Sequence, residues 1–303
     1  MNTYYVQTNE ALNKNQTDFS ILQPDFTSRR INNVFEALTQ EISSLILRLL
    51  KQSFRRPSLL LTGILQPLLW LTIFSALFQN APIQLFTYGQ KYSDFISSGI
   101  IVFTGFSAAL NSGLPIMFDR EFGFLNRILS SSIYSRYSIA ISSSVHMIIS
   151  SFIQTIFIIY MVKLLGNSIL DLKNIFTTLL VLLLLINSIS GISLILAFIL
   201  PGHIELLACI LLINLPLLFS STALAPLIFM PSWLQVIASL NPLTYAIETI
   251  RYTYLQSVIQ LDSTIMNTVW GNINFKQIII VLISSNIIST LISYKLIANK
   301  FAD

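Results

Sequence analysis

Charge is what this 303-residue chain has least of: 17 Lys+Arg and 13 Asp+Glu leave 10% of its residues charged against 54% hydrophobic. Mean hydropathy is +0.73. A soluble domain carries about 25% charged residues to keep its surface hydrated, so soluble enzymes, disordered proteins and nucleic-acid-binding modules are excluded. The pI near 9.2, in so apolar a chain, reads as membrane-topology charge and not as affinity for nucleic acid. A single cysteine, Cys209, rules out an internal disulfide and any thiolate-cluster metal site. Two histidines and that cysteine form no nucleophile–base arrangement, so no catalytic, metal or cofactor-binding residue is assigned. The phosphate cradle Gly-x-x-x-x-Gly-Lys-Ser/Thr is also missing. What remains is a polytopic membrane protein.

Six stretches are long enough to cross a hydrocarbon core, which takes about 20 helical residues: 58–79, 94–118, 137–165, 175–200, 206–230 and 276–297. Only Asp94, Lys163, Lys276 and Lys295 fall inside them as charges, each close to an end. With no ten-residue alternation of apolar and polar side chains, a β-barrel is disfavoured. The expected fold is all-α with six transmembrane helices. Twelve Lys and Arg lie on the side that holds both termini and five on the other, which orients the termini inward. Residues 1–30 read as a flexible polar tail, rich in Asn, Thr and Gln. Residues 31–303 form the membrane domain.

Segment 33–56 has helical periodicity. Val34, Phe35, Leu38, Ile42, Leu45, Ile46 and Leu49 share one face, with Glu36, Gln40, Ser43, Lys51 and Arg55 opposite. Such a helix lies along the inner membrane surface, its basic side toward lipid headgroups. It serves as a plain anchor or as part of a docking surface.

The inner loop reads Asp119-Arg120-Glu121-Phe122-Gly123-Phe124-Leu125-Asn126-Arg127. Phe118, Phe122, Leu125 and Leu129 fall on one helical stripe, so a single short amphipathic helix is expected. A topology-fixing charged loop is the plainer reading; a helix that receives force from a soluble partner is the functional one.

The outer segment 231–275 is too long for a turn and too apolar to be a hydrated loop. Ser232 caps a short helix through Trp233, Leu234, Val236 and Ile237. Asn241-Pro242 starts a second, over 243–260, with an N-cap followed by proline. Glu248 and Arg251 are spaced to pair. Two such helices fold back into the outer leaflet if protein surrounds their broken backbone. Trp233, Tyr245, Tyr252 and Tyr254 suit the headgroup level.

His146, the prolines Pro67, Pro216 and Pro226, and the asparagines Asn111, Asn187 and Asn214 sit inside apolar stretches. Packing accounts for them as well as a pathway does. No Asp or Glu lies deep in a span to carry a coupling ion, the usual need of secondary transport. A transporter built this way borrows its energy or works passively.

With those segments in hand, the chain resembles the membrane subunits of ABC-2 type exporters over nearly all of residues 30–300. The inner-loop pattern is Asp119-Arg120-Glu121-Phe122-Gly123. The outer one is Pro231-Ser232-Trp233-Leu234-Gln235, then Asn241-Pro242-Leu243-Thr244-Tyr245-Ala246 through Arg251. The likeness extends to bacterial single-domain permeases and to a version encoded in red-algal plastids, so a plastid membrane is expected, with a bacterial inner membrane as the alternative.

The resemblance implies an ABC-2 permease fold with an amphipathic interfacial helix and outer re-entrant helices. It implies a homodimer, surrounded by membrane lipids, that exports an unknown substrate with a separate ATPase subunit. Asp119, Arg120, Glu121, Gly123 and Arg127 would form an ATPase-coupling helix. Pro231, Trp233, Leu234, Asn241, Pro242 and Tyr245 would form the outer re-entrant motif. The alternative function is a membrane assembly or scaffold protein that recruits partners without moving a solute.

Overall fold

The computed structural model describes residues 34–79, 92–131, 133–165, 172–255 and 263–302. The expected tail at 1–30 lies outside the described residues. Among the described residues five helices are long and apolar enough to cross a membrane.

The surface helix α1 (Val34–Phe54) precedes the first of them. From Leu38 onward its predicted apolar face is turned to protein, with Leu49 buried and Leu38, Ile42, Leu45 and Ile46 half-buried, whereas Val34 and Phe35, expected on the same face, are exposed. Arg55 and Arg56 make the corner. Pro57 then opens α2 (Pro57–Leu77), a position where its missing N–H costs nothing. Helix α3 (Tyr92–Asn111) is the centre of the molecule, buried almost throughout, with α2, α6 (Tyr137–Leu164), α7 (Leu172–Ile199) and α10 (Pro242–Leu255) packed on it. A slight break at Ser112 and Gly113 leads into α4 (Leu114–Glu121), and α5 (Phe124–Ser130) follows.

Polar side chains join the spans. Asn187 of α7 donates to Asn286 of α11 (Phe275–Ala302) at 2.8 Å, and the Ser289 hydroxyl donates to the Ser188 carbonyl at 2.6 Å. Asn214 of α8 (His203–Phe219) donates to the Ser107 hydroxyl of α3 at 3.2 Å. In a bilayer, where lipid tails are as apolar as leucine, small residues and such bonds specify which helices pair.

The fifth apolar stretch departs from expectation. It is helical only over α8 (His203–Phe219), 17 residues, which at 1.5 Å per residue spans about 25 Å. The expected continuation through 220–230 is irregular apart from one turn of 3₁₀-helix at Leu227–Phe229. Ser220, Ser221, Thr222 and Ala223, directly after α8, are buried, whereas Ile228 and Phe229 are exposed.

Beyond it come α9 (Ser232–Leu240), α10 and an antiparallel hairpin, β1 (Thr264–Thr268) with β2 (Gly271–Asn274). The hairpin was not anticipated. Its signal was Gly271 after the two-residue turn Val269-Trp270, and Gly271 adopts φ +121°. The second outer helix is described from Pro242 through Leu255; its expected continuation to 260 lies outside the described residues.

Candidate functional site

Three consecutive charged residues, Asp119, Arg120 and Glu121, each reach a different element. Asp119 is buried and meets Arg48 of α1 at 2.6 Å. Gln52 of α1 adds a longer hydrogen bond to the same carboxylate, at 3.4 Å. The Arg48 guanidinium lies 4.8 Å from the centre of the Phe124 ring, and Arg56 lies 4.5 Å from that of Phe118. Glu41 extends this attachment: it accepts the Tyr134 backbone N–H at 3.0 Å and the Ser138 hydroxyl. The surface helix is thereby tied to the motif at one end and to the start of α6 at the other.

Arg120 turns to the end of α7. Its guanidinium donates to the carbonyls of Ala197 at 2.7 Å, Pro201 at 3.0 Å and Leu200. Those carbonyls have no intrahelical donors and carry the negative end of the helix dipole, so a cation there is doubly favourable. Glu121 does the converse for α8. Its carboxylate accepts the His203 backbone N–H at 2.9 Å and meets His203 Nδ1 at 2.8 Å. A carboxylate at a helix N-terminus is favoured for the mirror-image reason. The adjacent pair therefore holds both sides of the short turn between α7 and α8.

The expected single helix over this loop is broken. Phe122 and Gly123 end α4 with N–H bonds to the Phe118 and Arg120 carbonyls at 2.9 and 3.2 Å. Gly123 takes φ +73°, a left-handed conformation that costs other residues roughly 1–2 kcal/mol. The predicted stripe fails at this point. Leu125 is buried, whereas Phe122 is 68% exposed. Phe122, Phe124 and Arg127 stand on the surface of the elbow, while Asp119, Arg120 and Glu121 are engaged within the chain. Arg48 and His203 were the missed members of the site. Nothing local marks either one, since their partners lie 71 and 82 positions away.

At the opposite end, Asn241 clasps the end of α8 to the start of α10. Its Nδ2 donates to the Leu217 carbonyl at 2.8 Å and to the Ser220 hydroxyl at 3.3 Å, while its Oδ1 accepts the Leu243 N–H at 3.0 Å. Pro231 precedes α9, and Pro242 is the first residue of α10. Trp233 is exposed and Leu234 half-buried. Tyr245 is buried with its hydroxyl on the Ser239 carbonyl, and Tyr252 is buried as well, so these two do not face headgroups as expected.

Arg251 is fully buried. It pairs with Glu248 at 2.5 Å, donates to the Thr222 carbonyl at 3.0 Å and stacks 3.7 Å above the Phe95 ring. The irregular segment after α8 is thus held by a guanidinium that reaches its backbone.

The profile of the ABC-2 type transporter family matches residues 40–255, from α1 through α10. The chain belongs to this family. A protein of Porphyra purpurea bearing the name "Putative transport permease ycf38" is 53% identical over 255 residues, covering 84% of this chain and 88% of that protein. Proteins of the same name match from Pyropia yezoensis (54% over 253 residues, 84% and 87%) and Cyanophora paradoxa (48% over 262 residues, 86% and 90%). The ABC-2 fold, five long apolar helices and these red-algal and glaucophyte relatives make it a multi-pass membrane protein of the plastid. Both motifs lie within the matched region; the hairpin and α11 lie beyond it.

Proposed function

We propose that this ABC-2 protein is the permease subunit of an ATP-driven exporter, working as a homodimer with a separate ATPase subunit. The observation that carries the reading is the elbow between α4 and α5. Phe122, Phe124 and Arg127 project from it, while Asp119, Arg120 and Glu121 fasten it to α1, α7 and α8. A protruding tip on a braced base suits the receipt of force. The chain, which carries no phosphate cradle, in this reading leaves hydrolysis to the other subunit.

In this reading Gly123 shapes the tip and Arg127 adds a cation beside it. Helix α8 with the buried segment 220–223 forms the sixth span. Helices α9 and α10, with Pro231, Trp233, Leu234, Asn241, Pro242 and Tyr245, re-enter the outer leaflet and gate the exit. The test is co-reconstitution with the cognate ATPase. ATP-dependent efflux and a stable detergent complex are expected; neither appearing would defeat the reading.

A further inference from the structure

A cavity of about 370 Å³ opens between the irregular segment after α8, α10 and β1. Its wall is fixed from behind. Arg251 donates to the Thr222 carbonyl at 3.0 Å, the Tyr92 hydroxyl donates to the Leu224 carbonyl at 3.3 Å, and a Cβ at Gly99 would come within 2.6 Å of the Ala223 backbone. The volume falls in the range of small-ligand pockets, roughly 300–1,000 Å³, and anchored backbone makes the site preformed.

The lining gives the occupant an apolar body. Leu227, Ile228, Ile265 and Met266 form the apolar wall. Ile228 is 86% exposed and Phe229, next to it in sequence, is exposed as well. An alkyl chain leaving the cavity therefore has apolar surface to lie against.

One charged group lines the cavity among the described residues, the Glu248 carboxylate. Arg251, itself fully buried, holds Oε1 at 2.5 Å; Oε2 has no partner among the described residues, and the side chain keeps 10% of its surface exposed. Neither Arg251 nor any other described Lys, Arg or His lines the cavity. A carboxylate oxygen accepts hydrogen bonds and donates none, so the occupant brings the donor.

The remaining chemistry narrows quickly. An acid is repelled by Glu248. A metal ion lacks ligands, since among the described residues no group of three His, Cys, Asp or Glu could hold one. A quaternary ammonium has no N–H to give, and no described aromatic ring lines the cavity to cage it. A protonated amine is the strongest donor left, because hydrogen bonds to ionised groups are roughly twice as strong as neutral ones. We infer that this cavity binds the primary ammonium group of an amphiphile. The ammonium sits on Glu248 Oε2, and the apolar part packs against Leu227, Ile265 and Met266. An aminolipid of the outer leaflet and a soluble alkylamine share this chemistry. The site stands whether or not the chain works with an ATPase.

Asn267 supplies a handle apart from the buried pair. It belongs to the lining and is exposed, so a charge placed there is not forced out of water.

Isothermal titration of the full chain in non-ionic detergent tests the inference, with octylammonium, octyltrimethylammonium and octanol as probes and the heats of empty micelles subtracted. Octylammonium should bind about tenfold tighter than either of the others. Asn267→Lys should weaken it about tenfold and Asn267→Asp should strengthen it, both with an unchanged thermal midpoint. Glu248→Gln should erase the preference over octanol; should that variant fail to fold with Arg251 uncompensated, the two Asn267 variants decide. Displacement of octylammonium by phosphatidylethanolamine and not by phosphatidylcholine assigns the site to an aminolipid, and resistance to both assigns it to a soluble amine. Displacement by both lipids alike, or equal affinity for the three probes, overturns the inference and means an unselective apolar crevice. So does an octylammonium preference that survives both Asn267→Lys and Glu248→Gln, which is binding elsewhere on the protein.

Discussion

Arg48 and Asp119 meet at 2.6 Å across 71 positions of sequence, with the carboxylate buried and the guanidinium partly so. This pair fastens the surface helix to the elbow. Breaking it by Arg48→Ala leaves a buried carboxylate with only the long Gln52 bond, and should lower stability by about 2 kcal/mol, the scale of a charge-assisted hydrogen bond. Asp119→Asn should cost about as much. Thermal unfolding of the single and double variants in detergent checks this, because the double variant should cost clearly less than the two added together.

Positioning and docking separate at adjacent residues. Glu121→Ala removes the acceptor of the His203 N–H and should raise hydrogen exchange at the start of α8. Glu121→Lys should do so more strongly, placing a cation at the positive helix end, and should weaken ATPase association. Phe122→Ala should leave that exchange unchanged yet reduce co-purification with the ATPase. Unchanged co-purification in both Glu121→Lys and Phe122→Ala would remove the elbow as the docking point.

The buried outer pair responds asymmetrically. Arg251→Met strands the buried Glu248 carboxylate without its partner, which should destabilise the protein by about 3–5 kcal/mol, the cost of uncompensated buried charge. Glu248→Gln combined with Arg251→Met should recover much of that loss. Expression level and thermal midpoint are the measurements.

Gly123 tests backbone alone. A Cβ there meets nothing within 4 Å, so Gly123→Ala should cost about 1 kcal/mol through its positive φ and nothing through crowding. Gly123→Asn should cost less, since asparagine tolerates that region.

Five of the six expected spans were legible in the sequence because hydropathy is a local property, and so was the start of α10, because Asn241-Pro242 is a local signal. The motifs could be located but not their contacts. Asp119-Arg120-Glu121 reads as a solvated charge cluster until Arg48, the end of α7 and His203 arrive from distant parts of the chain. The 206–230 stretch reads as one helix because the residues after Phe219 are apolar enough to belong to it. Composition cannot tell a helix from irregular backbone that a buried Arg251 and Asn241 hold in place. Phe122 was placed on an apolar stripe by its spacing alone, and the left-handed turn at Gly123 removes that spacing.

The clamp on the short turn between α7 and α8 has a mechanical consequence. Arg120 holds one side of that turn and Glu121 the other, and the two are neighbours on a single rigid helical turn. A push on the elbow cannot tilt α7 without carrying the inner end of α8 in the same stroke. The two helices share one lever, and its fulcrum is a single peptide bond.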